Sequence, residues 1–192
     1  MSSIPNEDEC IGLLLDAGCK RRVVIHCCTV EAVAKQMLTR IKGADRDLVL
    51  AGALLHDIGR SVDHSIMHAY IGSEILRKKG LPEALVNIVL KHTGAGLDQE
   101  DVEEMALPAG DYIPHTLEEK IVAHADNLVS DNRVVGHAHS VIKLRTKGAE
   151  RGADRVEALH KELSELYGED LDHMVAEMDE YPYLPLIDKF YS

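Results

Sequence analysis

The sequence contains no tryptophan, a single phenylalanine and six tyrosines. A core without large rings must be filled by Leu, Ile, Val, Ala and Met, which suits packed helices better than a β-sandwich. No apolar run reaches the roughly 20 residues needed to span a bilayer. Residues 1–10 lack the basic-then-apolar pattern of a secretory signal. The expectation is a cytoplasmic protein with no membrane partner and with reduced cysteines. Cys10, Cys19, Cys27 and Cys28 also lack the paired C-x-x-C spacing of a structural zinc site, and read as small buried hydrophobes. Positive charge is scarce: 21 Lys and Arg against 33 Asp and Glu leave a net charge of −12. That argues against broad nucleic-acid binding, which needs a cationic surface to displace counterions, and against docking on an anionic membrane face. A small anionic substrate stays open, because a metal ion and two or three local cations can reverse the field inside a cleft.

What is present fits one domain: 192 residues, 45% of them hydrophobic, can bury a core and fold alone. Helical signals dominate. The patterns predict helices over 7–17, 21–41, 45–58 and 65–79, and a fifth starting at Pro82, where proline suits a first turn. Gly, Pro and Asp make 94–115 loop-like, with one helical turn near Val102. Thr116 and Glu119 form a capping box that opens a helix to about residue 130. From 140 to 178 two or three helices are expected, broken by Gly148, Gly152 and Gly168. The tail, 181–192, lacks periodicity and is expected to pack on the domain or on a neighbouring subunit, the latter giving a homodimer. The fold class is an all-α bundle, its core near 20–135, with C-terminal helices and tail over 140–192.

Ionisable groups inside apolar helices are the informative feature. His56 and Asp57 end the stretch LVLAGALLHDIG, Asp126 interrupts IVAHADNLV, and His26 lies in line with Val30, Val33 and Met37. A buried carboxylate left unpaired costs several kcal/mol, so each needs a cation, a donor or a metal. Taken singly, His26 reads as a hydrogen-bonded core histidine, and Asp126 as a cap or ion-pair partner. Taken together, four such groups on three apolar helices point to one shared cation.

In chain order, His26, His56–Asp57 and Asp126 give an H…HD…D pattern, with the HDIG form at His56 to Gly59. This resembles the HD superfamily of metal-dependent phosphohydrolases over about residues 23–133, in particular small stand-alone HDIG proteins. The resemblance implies an HD-type helical bundle with a central metal site ligated by His26, His56, Asp57 and Asp126. A second ion is implied by His68 in H-A-Y-I-G and by His92, with Asp57 as the bridging, catalytic ligand. The family often has two adjacent histidines where this chain has His92–Thr93. The ligand types suit Mn, Fe, Co, Ni, Zn or Mg. The cation would activate water and polarise a phosphoryl oxygen. Arg60, His64, Lys120 and Arg133 are the candidate substrate-binding residues, the arginines because a guanidinium can hold two oxygens at once. His64, four residues before His68, can share its helical face. His137 and His139 read as surface loop residues, and His115, His160 and His173 as nothing specific.

The implied activity is hydrolysis of a nucleotide-like phosphate ester or anhydride, with 94–114 as a candidate lid. The same resemblance admits two alternatives. One is an HD-type di-iron oxygenase; the other is a non-catalytic HD module with a regulatory or binding role.

Overall fold

Helix α3 (Arg46–Leu55) is apolar all round because its neighbours are other helices. Every residue from Val49 to Leu55 is buried. Around it pack α1 (Glu7–Asp16), α2 (Arg21–Met37), α5 (Glu83–Lys91) and α7 (Leu117–Asn127). The structure is a computed structural model describing residues 3–191. Asn6 with Glu9, and Thr116 with Glu119, cap α1 and α7 reciprocally, satisfying amide donors that a helix start leaves open. Gly168 ends α9 (Glu150–Tyr167) at φ 83°, a left-handed C-cap that glycine adopts without steric cost.

Between these helices lie two apolar clusters. One joins Met37, Val49, Ile121, Val122 and Leu163. The other joins Ile11, Leu14, Val24, Leu54, Leu55 and Leu85. All four cysteines are buried and unpaired, as expected. Burial first, then Asp57, pushes Cys19 up to about 11; burial and Glu31 push Cys28 up to about 12. Both therefore stay thiols and behave as packing residues. Among the described residues no helix is long and apolar enough to cross a membrane.

Several boundaries differ from the expectation. α2 stops at Met37, before residue 41, because Thr39 Oγ1 donates to Gln36 O at 2.7 Å and competes for the terminal carbonyls. Past α3 the chain tightens into a 3-10 turn, Ile58–Ser61, and α4 (His68–Lys78) starts three residues later than predicted. α7 ends at Asn127, and a short antiparallel hairpin follows: β1 (Val129–Ser130) pairs with β2 (Arg133–Val134) around Asp131. α8 (His137–Thr146) begins early, so His137 and His139 are helical rather than loop residues. Gly152 lies within the first turn of α9, where it breaks nothing.

The segment expected as a loop or lid holds α6 (Gln99–Glu104) and a small apolar cluster of Val102, Leu107 and Tyr112. Arg151 and Arg155 of α9 bind it through Asp101 at 2.9 Å and Asp98 at 2.6 Å, which fastens it to the domain. After α10 (Leu171–Ala176) the tail folds as α11 (Pro185–Tyr191), burying Leu186 and Ile187 against α1 and α2. The tail thus takes the first of its two expected positions, on the domain.

Glu31 of α2 is 4% exposed beside Lys35, at 3.0 Å, in a cluster with Glu7. Burial first, then the neighbouring Glu7, raises its pKa from 4.5 to about 7 against the opposing pull of Lys35. The folded state therefore holds this proton more tightly than the unfolded chain. Ionising Glu31 costs nothing below pH 4.5, progressively more up to about 7, and its full amount above. Glu31→Gln should gain on the wild type by about 1–3 kcal/mol between pH 5 and pH 8. Thermal denaturation at both pH values checks this; parallel pH dependences in the two proteins would contradict it.

Candidate metal centre

Six side chains from five elements converge at the end of α3. His26 comes from α2, His56 and Asp57 from the α3 terminus, His68 from the start of α4, His92 from the end of α5, and Asp126 from α7. His56, Asp57, His68 and His92 are at most 4% exposed. Asp57 sits at φ −98°, ψ 12°, between α3 and the 3-10 turn, so its carboxylate leaves the helix axis and faces both groups of ligands.

The orientation of each imidazole is set from behind. His56, His68 and His92 donate Nδ1–H to the carbonyl three residues earlier: Ala53 at 2.7 Å, Ser65 at 2.6 Å and Val89 at 2.7 Å. His26 Nδ1 meets Asp131 O at 2.5 Å. A carbonyl can only accept, so Nδ1 carries a proton in each ring; His56, His68 and His92 when neutral aim an Nε2 lone pair inward, and His26 does so once a metal displaces the proton it shares with Asp126. Asp131 reaches His26 because its backbone turns at φ 62° in the β1–β2 hairpin, an uncommon conformation that Asp tolerates.

These lone pairs face one another. His26 Nε2 and His56 Nε2 are 3.2 Å apart, and His68 Nε2 and His92 Nε2 are 3.1 Å apart. Asp126 Oδ1 lies 3.0 Å from His26 and 3.6 Å from His56. Asp57 Oδ2 is 3.7 Å from both His26 and His56. Its other oxygen, Oδ1, is 3.2 Å from His68 and 3.5 Å from His92, is buried, and accepts no hydrogen bond. Donors held about 2.1 Å from one ion lie roughly 3.0–3.4 Å apart in octahedral or tetrahedral geometry. Acceptors that converge at this spacing, with Asp57 Oδ1 left unpartnered and Oδ2 met by Arg60, fit a cation, and Asp57 fits a bridge between two.

The electrostatics agree. Burial opposes a charge on His26, yet Asp126 and Asp57 outweigh it and raise its pKa to about 9, so the cluster favours positive charge. Asp126 and Asp57 stay well below the usual carboxylate range despite burial, held there by the surrounding histidines. Burial first, then His56 and His68, lowers His92 and keeps it the neutral ligand form.

The centre opens into a cleft of about 650 Å³. Cations line it: Lys20, Arg22, Arg60, Lys143 and Lys147, with His64 and His139 at the same wall. Arg60 donates Nε–H to Asp57 Oδ2 at 2.6 Å and Nη1–H to His64 O at 3.2 Å. His64 borders the cleft but precedes α4, so the shared helical face with His68 does not exist. Two expected phosphate contacts are elsewhere: Lys120 pairs with Glu162 at 2.7 Å and Arg133 with Glu180 at 3.2 Å, and neither borders the cleft. Of the predicted lid only Gly94 borders it.

Sequence reasoning missed Lys20, Arg22, Lys143 and Lys147. A signal existed: Arg22 is one turn before His26, and His139, Lys143 and Lys147 follow a four-residue spacing along α8. Another histidine cluster, His137, His160 and Asp172, lies outside the cleft. Its atoms are already partnered: Asp172 accepts from His137 N and Nδ1, and His160 contacts Asp170 and the buried His124.

The HD domain family matches the chain over residues 23–131, the span that contains all six converging side chains. The chain belongs to the HD domain family. It is 45% identical over 175 residues to a tRNA (cytidine(56)-2'-O)-methyltransferase of Picrophilus torridus, covering 91% of this chain and 51% of that protein. It is 35% identical over 95 residues to a ribonuclease Y of Pseudothermotoga lettingae, covering 47% of this chain and 18% of that one. The chain therefore spans about half, or less, of the length of these curated relatives. Among solved structures, the HD domain of the L. monocytogenes phosphodiesterase PgpH, in complex with cyclic-di-AMP, superposes with a TM-score of 0.53 at 18% identity, covering 84% of this chain and 98% of that one. That likeness shows the fold, an all-α HD bundle.

The same geometry explains the HDIG glycine. A Cβ on Gly59 would lie 1.9 Å from His68 O and 2.6 Å from Gly72 N, so only glycine lets α4 press onto the 3-10 turn and bring His68 to Asp57. Gly59→Ala should cost about 1–3 kcal/mol of stability. An ion held by Asp57, His68 and His92 would be lost with it, while one held by His26, His56 and Asp126 would stay. Manganese titration with elemental analysis reads this as a halved stoichiometry; an unchanged metal content would contradict it.

Proposed function

We propose that this HD domain is a metal-dependent phosphohydrolase acting on a nucleotide-like phosphate ester or anhydride. The observation that carries this reading is one carboxylate, Asp57, shared by two sets of imidazole lone pairs at the floor of a cation-lined cleft. In a chain of net charge −12, such a cleft is selective for an anion. His26, His56, Asp57 and Asp126 would hold one ion, and Asp57, His68 and His92 a second. Mixed nitrogen and oxygen donors suit Mn, Fe, Co, Ni or Zn, with Mg as a further candidate. When bound, a divalent cation supplies a Lewis acid that makes water nucleophilic near neutral pH and takes up charge developing on phosphoryl oxygens.

The chain's own residues supply the rest. Arg60 braces Asp57 through Nε, and among the described residues Nη2 has no partner, which suits it to a phosphoryl oxygen at the cleft. His64, exposed at the cleft wall, is a substrate contact in this reading. Lys120 and Arg133 have no part in it, since their acidic partners hold them outside the cleft. Methyl transfer, named for a relative of which this chain spans half, is not carried over. The acidic exterior favours a small cytoplasmic substrate over an RNA strand.

The protein as purified should contain a first-row divalent metal and should hydrolyse nucleotide phosphoesters or anhydrides under argon. Asp57→Ala should lose that metal and lower kcat/KM about 100-fold or more, with helical circular dichroism intact. Oxygen consumption with iron and no hydrolysis under argon would instead identify an oxygenase. A metal-free protein without turnover would identify a binding module.

A further inference from the structure

We propose that the α8 wall of the cleft is a second phosphate subsite, so that the substrate carries a polyphosphate chain rather than a lone phosphate. This deepens the phosphohydrolase reading and rests on it. Lys143 and Lys147 border the same cleft as the metal ligands His26, Asp57 and Asp126, and Lys20 and Arg22 border it from the α2 side. Along α8, His139, Lys143 and Lys147 repeat every four residues, so they form one stripe about 12 Å long. Ser140 within this stretch donates Oγ–H to Asn127 O at 2.8 Å, which fastens α8 beside Asp126.

The ion pairs of α8 set the stripe apart from the neighbouring arginine of the same helix. Arg145, off the stripe, meets Glu150, Asp154 and Glu157 at 3.1–3.3 Å. Among the described residues Lys143, Lys147 and Lys20 form no ion pair, although acids outnumber bases by 33 to 21. Two lysines one turn apart repel each other, and an anion between them relieves that repulsion. Among the described residues the carboxylates bordering the cleft are those of Asp57 and Asp126 and that of Asp131, which is paired with Arg22 at 2.7 Å.

The chemistry of the lining selects the class of anion. Among the described residues no Tyr or Phe borders the cleft. Single-stranded nucleic acid is held by aromatic stacking together with backbone cations, and this wall offers cations with one imidazole, His139, in place of a stacking platform. A run of phosphates on a small molecule needs nothing more.

The test is titration calorimetry of the metal-loaded protein, with magnesium in excess, using AMP, the β,γ-methylene analogue of ATP and a short single-stranded oligoribonucleotide. The wild type should bind the ATP analogue about tenfold more tightly than AMP. In the Lys143→Ala/Lys147→Ala double variant that ratio should fall to about one, with melting unchanged because both side chains are exposed. Equal affinity for the two nucleotides in the wild type would overturn the proposal, as would a ratio that survives the double substitution. Preference for the oligoribonucleotide would identify a nucleic-acid strand as the occupant and overturn it too. The two readings fail separately. Loss of the ratio with no hydrolysis of any phosphoester keeps the subsite and removes the hydrolase; hydrolysis without a binding preference does the reverse.

Discussion

The centre depends on one electrostatic conflict: several lone pairs brought together, with Asp57 Oδ1 buried among them and accepting no hydrogen bond. Four imidazole Nε2 atoms and the carboxylates of Asp57 and Asp126 converge within hydrogen-bond range of one another. A core built on the hydrophobic effect alone would not assemble such a group, since each buried acceptor loses water and gains nothing in return. A cation reverses the sign of that balance. The arrangement is therefore a constraint on the whole fold, because five elements must hold these side chains together against the mutual repulsion of their lone pairs.

The elements do so by local means. Three of the histidines use the same device, an Nδ1–H donated to the carbonyl three residues earlier, which fixes tautomer and ring direction within a single turn. His26 has no such carbonyl of its own and takes one from Asp131 of the β-hairpin, whose side chain in turn holds Arg22 at the cleft. Helix α4 reaches the centre only because Gly59 and Gly72 let two backbones touch. Packing and chemistry thus meet at the same residues.

Charge is distributed with the same economy. The exterior is acidic, while the cleft is bordered by five Lys and Arg side chains. Acids elsewhere neutralise most of the remaining arginines, as on α9, where Arg151 and Arg155 hold the segment after α5 in place. The relatives carry related domains inside longer proteins whose names include a tRNA-modifying enzyme and a ribonuclease. The acidic exterior disfavours a long polyanion, while the Lys and Arg side chains bordering the cleft give it a local field opposite in sign to that of the molecule.

The sequence by itself determined the helical class and the ligand order His26, His56–Asp57, Asp126. Polar groups inside apolar helices are conspicuous in one dimension, and capping at Thr116 is a local event that needs no partner from afar. The family resemblance also singled out His68 and His92, which the fold brings beside Asp57, and the cysteine spacing pointed to buried thiols. Only the tertiary structure decided which cations join the site. Lys120 and Arg133 look as suitable as Lys143 and Lys147 along the chain, yet Glu162 and Glu180 claim the first two while α8 presents the others to the cleft. The hairpin at Asp131, the tail helix and the fastening of the 94–115 segment were equally hidden, since each is stabilised by contacts between residues far apart in sequence. Side-chain chemistry can be read locally; the choice of partner is a property of the packed molecule.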